Sequence, residues 1–117
     1  MAHGDPFHYE VVESVDENNW ETTTIHCHGR LISEDTKKVR ELVLPFIERG
    51  GHIILDFADL DYLDSSGLGA LVGLKVSSIN RGLNKLDLIN LTPRVKKLLS
   101  LTNLLQLFSD QVPPNLL

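Results

Sequence analysis

The stretch Leu63-Asp64-Ser65-Ser66-Gly67-Leu68-Gly69-Ala70-Leu71 follows a short apolar run, His52 to Ala58, and opens a helical pattern that lasts to Arg81. A chain that passes from strand to helix there places both serines in the first turn of the helix. The leading backbone N–H groups of a helix have no intrahelical acceptor and carry partial positive charge, so a phosphate is well accommodated beside them. Ser65 and Ser66 therefore read either as plain helix caps, a role serine favours, or as a phosphorylation switch.

Upstream of this turn, residues 9–15 and 20–31 read as two strands joined by the turn residues Asp16 to Asn19. The second strand alternates. Trp20, Thr22, Thr24, His26 and His28 fall on one face, and Thr23, Ile25 and Cys27 on the other. Ser33 then reads as the cap of a helix reaching Arg49. Its Val39, Leu42, Val43, Phe46 and Ile47 recur at the helical spacing of one buried stripe. Pro45 inside this pattern predicts a kink, and Gly50-Gly51 a stop. Residues 52–58, nearly continuous in apolar character, read as a strand buried on both faces.

Downstream, residues 66–81 form a second helix with Leu68, Leu71, Val72 and Ile79 on one side, ended by Gly82. Residues 85–90 are the next strand. Thr92-Pro93 caps a third helix carrying Val95, Leu98 and Leu99 as far as Leu101. Leu104 to Phe108 reads as a last short strand or turn, and the tail from Ser109, with two prolines, as loose. The order ββαβαβα implies an α/β sandwich with a mostly parallel mixed sheet of four to five strands.

The 117 residues fit a single domain, with a core at about 9–108 and loose ends. A formal net charge of −5 disfavours direct binding to nucleic acid. No apolar run approaches the roughly 20 residues of a membrane span, and the first ten residues lack the basic and apolar regions of a secretion signal. One cysteine, Cys27, rules out an internal disulfide, so a cytoplasmic protein is expected.

Several chemistries are disfavoured. Neither serine lies in a Gly-x-Ser-x-Gly elbow, so no enzyme is expected. The glycines from Gly67 to Gly73 miss the dinucleotide spacing by one residue and read as close packing of helix on sheet. Asp56, Asp59, Asp61 and Asp64 lack the glycine and terminal glutamate of a calcium loop and read as an acidic rim. A receiver domain needs an acidic pair where Val11-Val12 stands. His26 and His28 form a potential metal pair without a third ligand, and Arg94, Lys96 and Lys97 a solvated basic face. Neither a metal nor a cofactor is expected.

At this point the chain resembles the STAS family, the sulfate transporter and anti-sigma-factor antagonist domains, and within it the bacterial anti-anti-sigma factors. The likeness rests on Gly29-Arg30-Leu31, Ile53-Ile54-Leu55-Asp56, the run from Leu63 to Leu71, Leu88-Ile89-Asn90-Leu91-Thr92-Pro93 and Leu101-Thr102-Asn103-Leu104. The resemblance implies a STAS-type sandwich and a binding protein that captures an anti-sigma-factor kinase and so releases a sigma factor. Phosphorylation would break that complex and a serine phosphatase would restore it. Carried over, Ser65 is the acceptor, Asp64 the motif acid, and Ser66 and Gly67 the helix start. The implied contact surface comprises Asp59, Asp61, Asp64, Ser65, Ser66, Gly67, Leu68 and Gly69, flanked by Arg30 and Ser33. Ile32 stands where relatives often have an aspartate. A monomer or weak homodimer is expected. Recruitment to a membrane transporter and nucleotide binding at the turn are the alternative readings.

Overall fold

The computed structural model describes residues 5–108. Strands β1 (His8–Val15) and β2 (Glu21–Leu31) form a hairpin. A single 3-10 turn (Ser33–Asp35) leads into α1 (Thr36–Arg49). Then come β3 (Gly51–Leu63), α2 (Ser65–Arg81), β4 (Asn84–Ile89), α3 (Pro93–Leu101) and a closing 3-10 turn, Leu105–Phe108. The four strands stand in sequence order, β1 antiparallel to β2 and the other two pairs parallel. The mixed α/β sandwich expected from the element order is thus present, with four strands among the described residues.

One face of the sheet is the core. Thr23, Ile25, Cys27 and Leu31 of β2 are buried together with Ile53, Leu55, Phe57, Leu60 and Leu63 of β3 and Leu86 of β4. Val39, Val43 and Ile47 of α1, at the expected spacing, lie in the same cluster with Leu71 and Leu74 of α2 and Val95 and Leu99 of α3. Burial of this kind stabilises by about 25 cal/mol per Å² of apolar surface, which makes it the main force holding the layers together.

Four expectations need correction. Strand β3 does not stop at Ala58 but continues to Leu63, because its second half pairs with the end of β2, Gly29 opposite Leu60 and Leu31 opposite Leu63. It is also not buried on both faces: Ile53, Leu55 and Phe57 are buried, while His52, Ile54 and Asp56 between them are only half-buried. Ser33 does not cap α1; the residue at its N-terminus is Asp35, whose carboxylate accepts the Ile32 N–H at 3.1 Å. Ile79 faces outward, 58% exposed, because the buried stripe of α2 runs instead through Leu74, Lys75 and Ser78. The last two find polar partners at β4: Lys75 Nζ donates to the Leu86 carbonyl at 2.6 Å, and Ser78 Oγ bonds the Asn84 side chain. Burial pushes the Lys75 ammonium below its ordinary range.

The chain ahead of β1 crosses the end of β2 at Gly29. The Arg30 N–H donates to the Asp5 carbonyl at 3.0 Å, and Phe7 is buried beside it. Gly29 has φ of +81°, and a Cβ there would run into the carbonyl oxygens of Asp5 and Pro6. Gly29→Ala is therefore expected to lower the unfolding free energy by about 1–3 kcal/mol, read as a lower urea midpoint with unchanged slope. An unchanged midpoint would show that the crossing segment contributes nothing.

Candidate functional site

The site is the junction of β3 and α2, and it is built around one carboxylate. Asp64, in extended conformation, is the N-cap of α2: Oδ1 accepts the Gly67 N–H at 2.7 Å, and its carbonyl accepts the Leu68 N–H at 2.9 Å. The other oxygen, Oδ2, accepts the Ser33 N–H at 3.1 Å from the β2–α1 junction, and the Asp64 N–H donates to the Leu31 carbonyl at 3.2 Å. Two strand-to-helix junctions, thirty-one residues apart in the chain, are thereby fastened to each other. Gly67 completes the fit, since a Cβ there would overlap the Leu31 carbonyl oxygen and crowd a Leu63 methyl.

Ser65 and Ser66, the first two residues of α2, are exposed. With the next two amides taken by Asp64, those of Ser65 and Ser66 lead the helix, where no intrahelical acceptor exists for them. The expected contact residues divide in two. Ser65, Ser66, Gly69 and Ser33 lie on the surface around Asp64. Gly67 and Leu68, by contrast, are buried, Leu68 at only 6% exposure, and support the turn from beneath. A Cβ at Gly69 or Gly73 would meet nothing within 4 Å. These two glycines therefore do not serve helix-on-sheet packing, as their spacing had suggested; they leave the outer side of α2 shallow.

Asp59 and Asp61 lie on strand β3 rather than in a turn, and both are exposed. Asp59 is turned to the sheet's open face, where its carboxylate meets His28 Nδ1 at 2.6 Å. Asp61 and the half-buried Arg30, opposite Tyr62, flank the junction. Ile32 is half-buried, and Asp35 brings a carboxylate to the same segment by accepting its N–H.

The strand-face histidines lie where the alternation put them. His26 pairs with Asp56 at 2.9 Å, and Asp56 also accepts from the Ala58 N–H and from Asn90. Burial works to raise the Asp56 carboxyl, but these three donors outweigh it and hold the group below its ordinary value. Cys27 faces the core, and burial pushes its thiol up to about 12, which leaves it unreactive. The tie from Asp64 to Ser33 and the histidine partners Glu10, Asp56 and Asp59 escaped the sequence reading. Each depends on which residues of distant strands stand abreast. Only the histidine alternation hinted at them.

Residues 11–116 match the STAS domain family. A Bacillus subtilis (strain 168) relative, an anti-sigma-B factor antagonist, is 33% identical over 80 residues, covering 68% of this chain and 72% of the relative. The anti-sigma factor antagonist SpoIIAA in its unphosphorylated form superposes with a TM-score of 0.64 at 26% identity, covering 85% of this chain and 82% of that one. The murine Slc26a9 anion transporter shares the fold, with a TM-score of 0.63 at 16% identity, over 83% of this chain and 18% of the transporter.

Removal of the carboxylate separates capping from bridging. Asp64→Ala is expected to cost about 1–2 kcal/mol of stability and to speed amide exchange at Ser33 as well as at Gly67. Asp64→Asn, which keeps one acceptor oxygen, falls between the two. Faster exchange at Gly67 alone would reduce Asp64 to an ordinary cap.

Proposed function

The chain belongs to the STAS domain family, and we propose that it acts as an anti-sigma factor antagonist switched by phosphorylation of Ser65. In this reading it is a cytoplasmic binding protein and a kinase substrate rather than an enzyme. Unphosphorylated, it engages an anti-sigma-factor serine kinase through Asp64, Ser65, Ser66, Gly69 and the outer side of α2, flanked by Ser33, Arg30 and Asp61. A serine phosphatase resets it.

The observation that carries the reading is the exposure of Ser65 at the head of α2, directly beside a carboxylate committed to the backbone. A phosphoryl group there adds about −1.5 to −2 charges. The helix end tolerates that charge, because its leading amides and dipole face the anion. A partner surface shaped to a neutral hydroxyl and to the bare backbone at Gly69 does not tolerate it, for it meets a dianion next to Asp64. Both oxygens of Asp64 are already bonded, so the fold beneath survives the modification while the interface is lost. The anti-sigma-B factor antagonist among its relatives supports this class of partner.

Recruitment to a membrane transporter is the second reading, favoured by the fold shared with Slc26a9. Among the described residues no helix is long and apolar enough to cross a membrane.

Intact-mass measurement after incubation with ATP and the anti-sigma kinase of the same genome tests the proposal. One phosphate is expected on the unaltered protein and on Ser66→Ala, and none on Ser65→Ala. Phosphate retained by Ser65→Ala moves the acceptor elsewhere. No incorporation with any such kinase, together with co-purification of a transporter, replaces the switch with the second reading.

A further inference from the structure

The face of the sheet turned away from the helices carries imidazole–carboxylate pairs across every strand boundary. His52 of β3 lies 2.5 Å from Asp87 of β4, and His26 of β2 lies 2.9 Å from Asp56 of β3. His28 differs from both because each of its ring nitrogens meets a carboxylate on a different strand. Nδ1 is 2.6 Å from Asp59 of β3 and Nε2 is 2.8 Å from Glu10 of β1. His8 stacks on the His28 ring with centroids 4.8 Å apart, and His26 and Asp56 line the same shallow cleft.

A neutral imidazole offers one N–H and one lone pair, whereas an ionised carboxylate only accepts. Neutral His28 can satisfy one of its two partners and turns a lone pair toward the other. The imidazolium donates to both, with the added strength of paired charges. We propose that His28 is a proton-operated clamp: charged, it ties β1 to β2 and β3 through Glu10 and Asp59, and on losing its proton it releases β1.

Strand β1 is paired to β2 along its backbone from His8 to Val15, and its side chains add little to that ladder. All eight of its residues are exposed, so little apolar burial holds it down. Among the described residues, two side-chain ion pairs reach it from neighbouring elements: Glu10 with His28, and Glu13 with Arg49 at 2.7 Å. Arginine stays charged at every physiological pH, so of these two cations only the imidazole can lose its charge near neutrality. The hydrogen bond to Asp59, then that to Glu10, raises the His28 pKa above its ordinary 6.5, against a smaller desolvation effect.

The sign follows from linkage. With the folded value above the unfolded one, the clamp contributes fully below about pH 6.5 and is lost as pH rises through the folded value. His28 is next to Gly29 and three residues before Leu31, whose carbonyl receives the Asp64 N–H. Release would therefore loosen the hairpin at the end nearest the candidate site.

Titration of the histidine ring protons by NMR, with amide protection factors for β1 measured across the same range, tests the clamp. His28 is expected to titrate above 6.5, and Glu10→Gln and Asp59→Asn each to lower its pKa. Glu10 and Asp59 are surface groups, with 62% and 68% of their side chains exposed, so both variants should fold. Protection of the β1 amides should fall severalfold across the His28 titration and show no such step in His28→Gln. A His28 pKa at or below 6.5, or β1 protection that ignores the titration, would overturn the proposal.

Discussion

The carboxylate of Asp64 is the constraint on which the upper end of this sheet depends. Two parallel strands that both run into helices leave two sets of unpaired backbone donors close together, and each set needs an acceptor. Asp64 supplies one oxygen to each: Gly67 in its own helix, and Ser33 at the start of the neighbouring crossover. Gly67's missing side chain is what lets α2 lie against the Leu31 carbonyl. The register of β2 on β3 past its two irregularities, between His26 and His28 and between Gly29 and Arg30, is thereby fixed from its far end.

In the proposed switch, placing the anchor one residue before Ser65 separates stability from signalling. The groups that hold the junction, Asp64, Gly67 and Leu68, are half-buried or buried, whereas Ser65 and Ser66 extend into solvent from a backbone that is already secured. A charge added at Ser65 changes what the surface offers a partner without removing any bond the fold uses. A helix start is well suited to this, since it is the one part of a helix where added negative charge is welcome.

The histidine cluster on the opposite face follows a different logic. There β1 is held by its backbone ladder to β2 and by charged pairs rather than by apolar burial, because it lies at the edge of the sheet with all eight residues exposed. His28 joins three strands at the end of the sheet that Asp64 secures. One end of the sheet thus combines the backbone tie made by Asp64 with the proposed proton-operated clamp at His28.

Much of the architecture was legible because periodicity is a local property. Val39, Val43 and Ile47 announced the buried side of α1, the alternation from Thr22 to His28 announced both faces of β2, and Thr92-Pro93 marked the start of α3. The length of β3 was not legible: Asp59 and Asp61 have the composition of a turn, and only pairing with β2 makes them strand. The inward turn of Lys75 and Ser78 was hidden for a similar reason, since a polar residue can be buried only where a distant partner waits, here Leu86 and Asn84. At the site, the Asp-Ser-Ser-Gly run gave the helix start and both hydroxyls, while the reach of Asp64 to Ser33 came from tertiary structure alone. The most direct test of the account is the affinity of the purified cognate anti-sigma kinase for this protein before and after stoichiometric phosphorylation of Ser65, with circular dichroism recorded on both forms. Loss of binding with unchanged spectra and thermal midpoint is the predicted result. Equal affinity for both forms, or a phosphorylated form that unfolds, would contradict it.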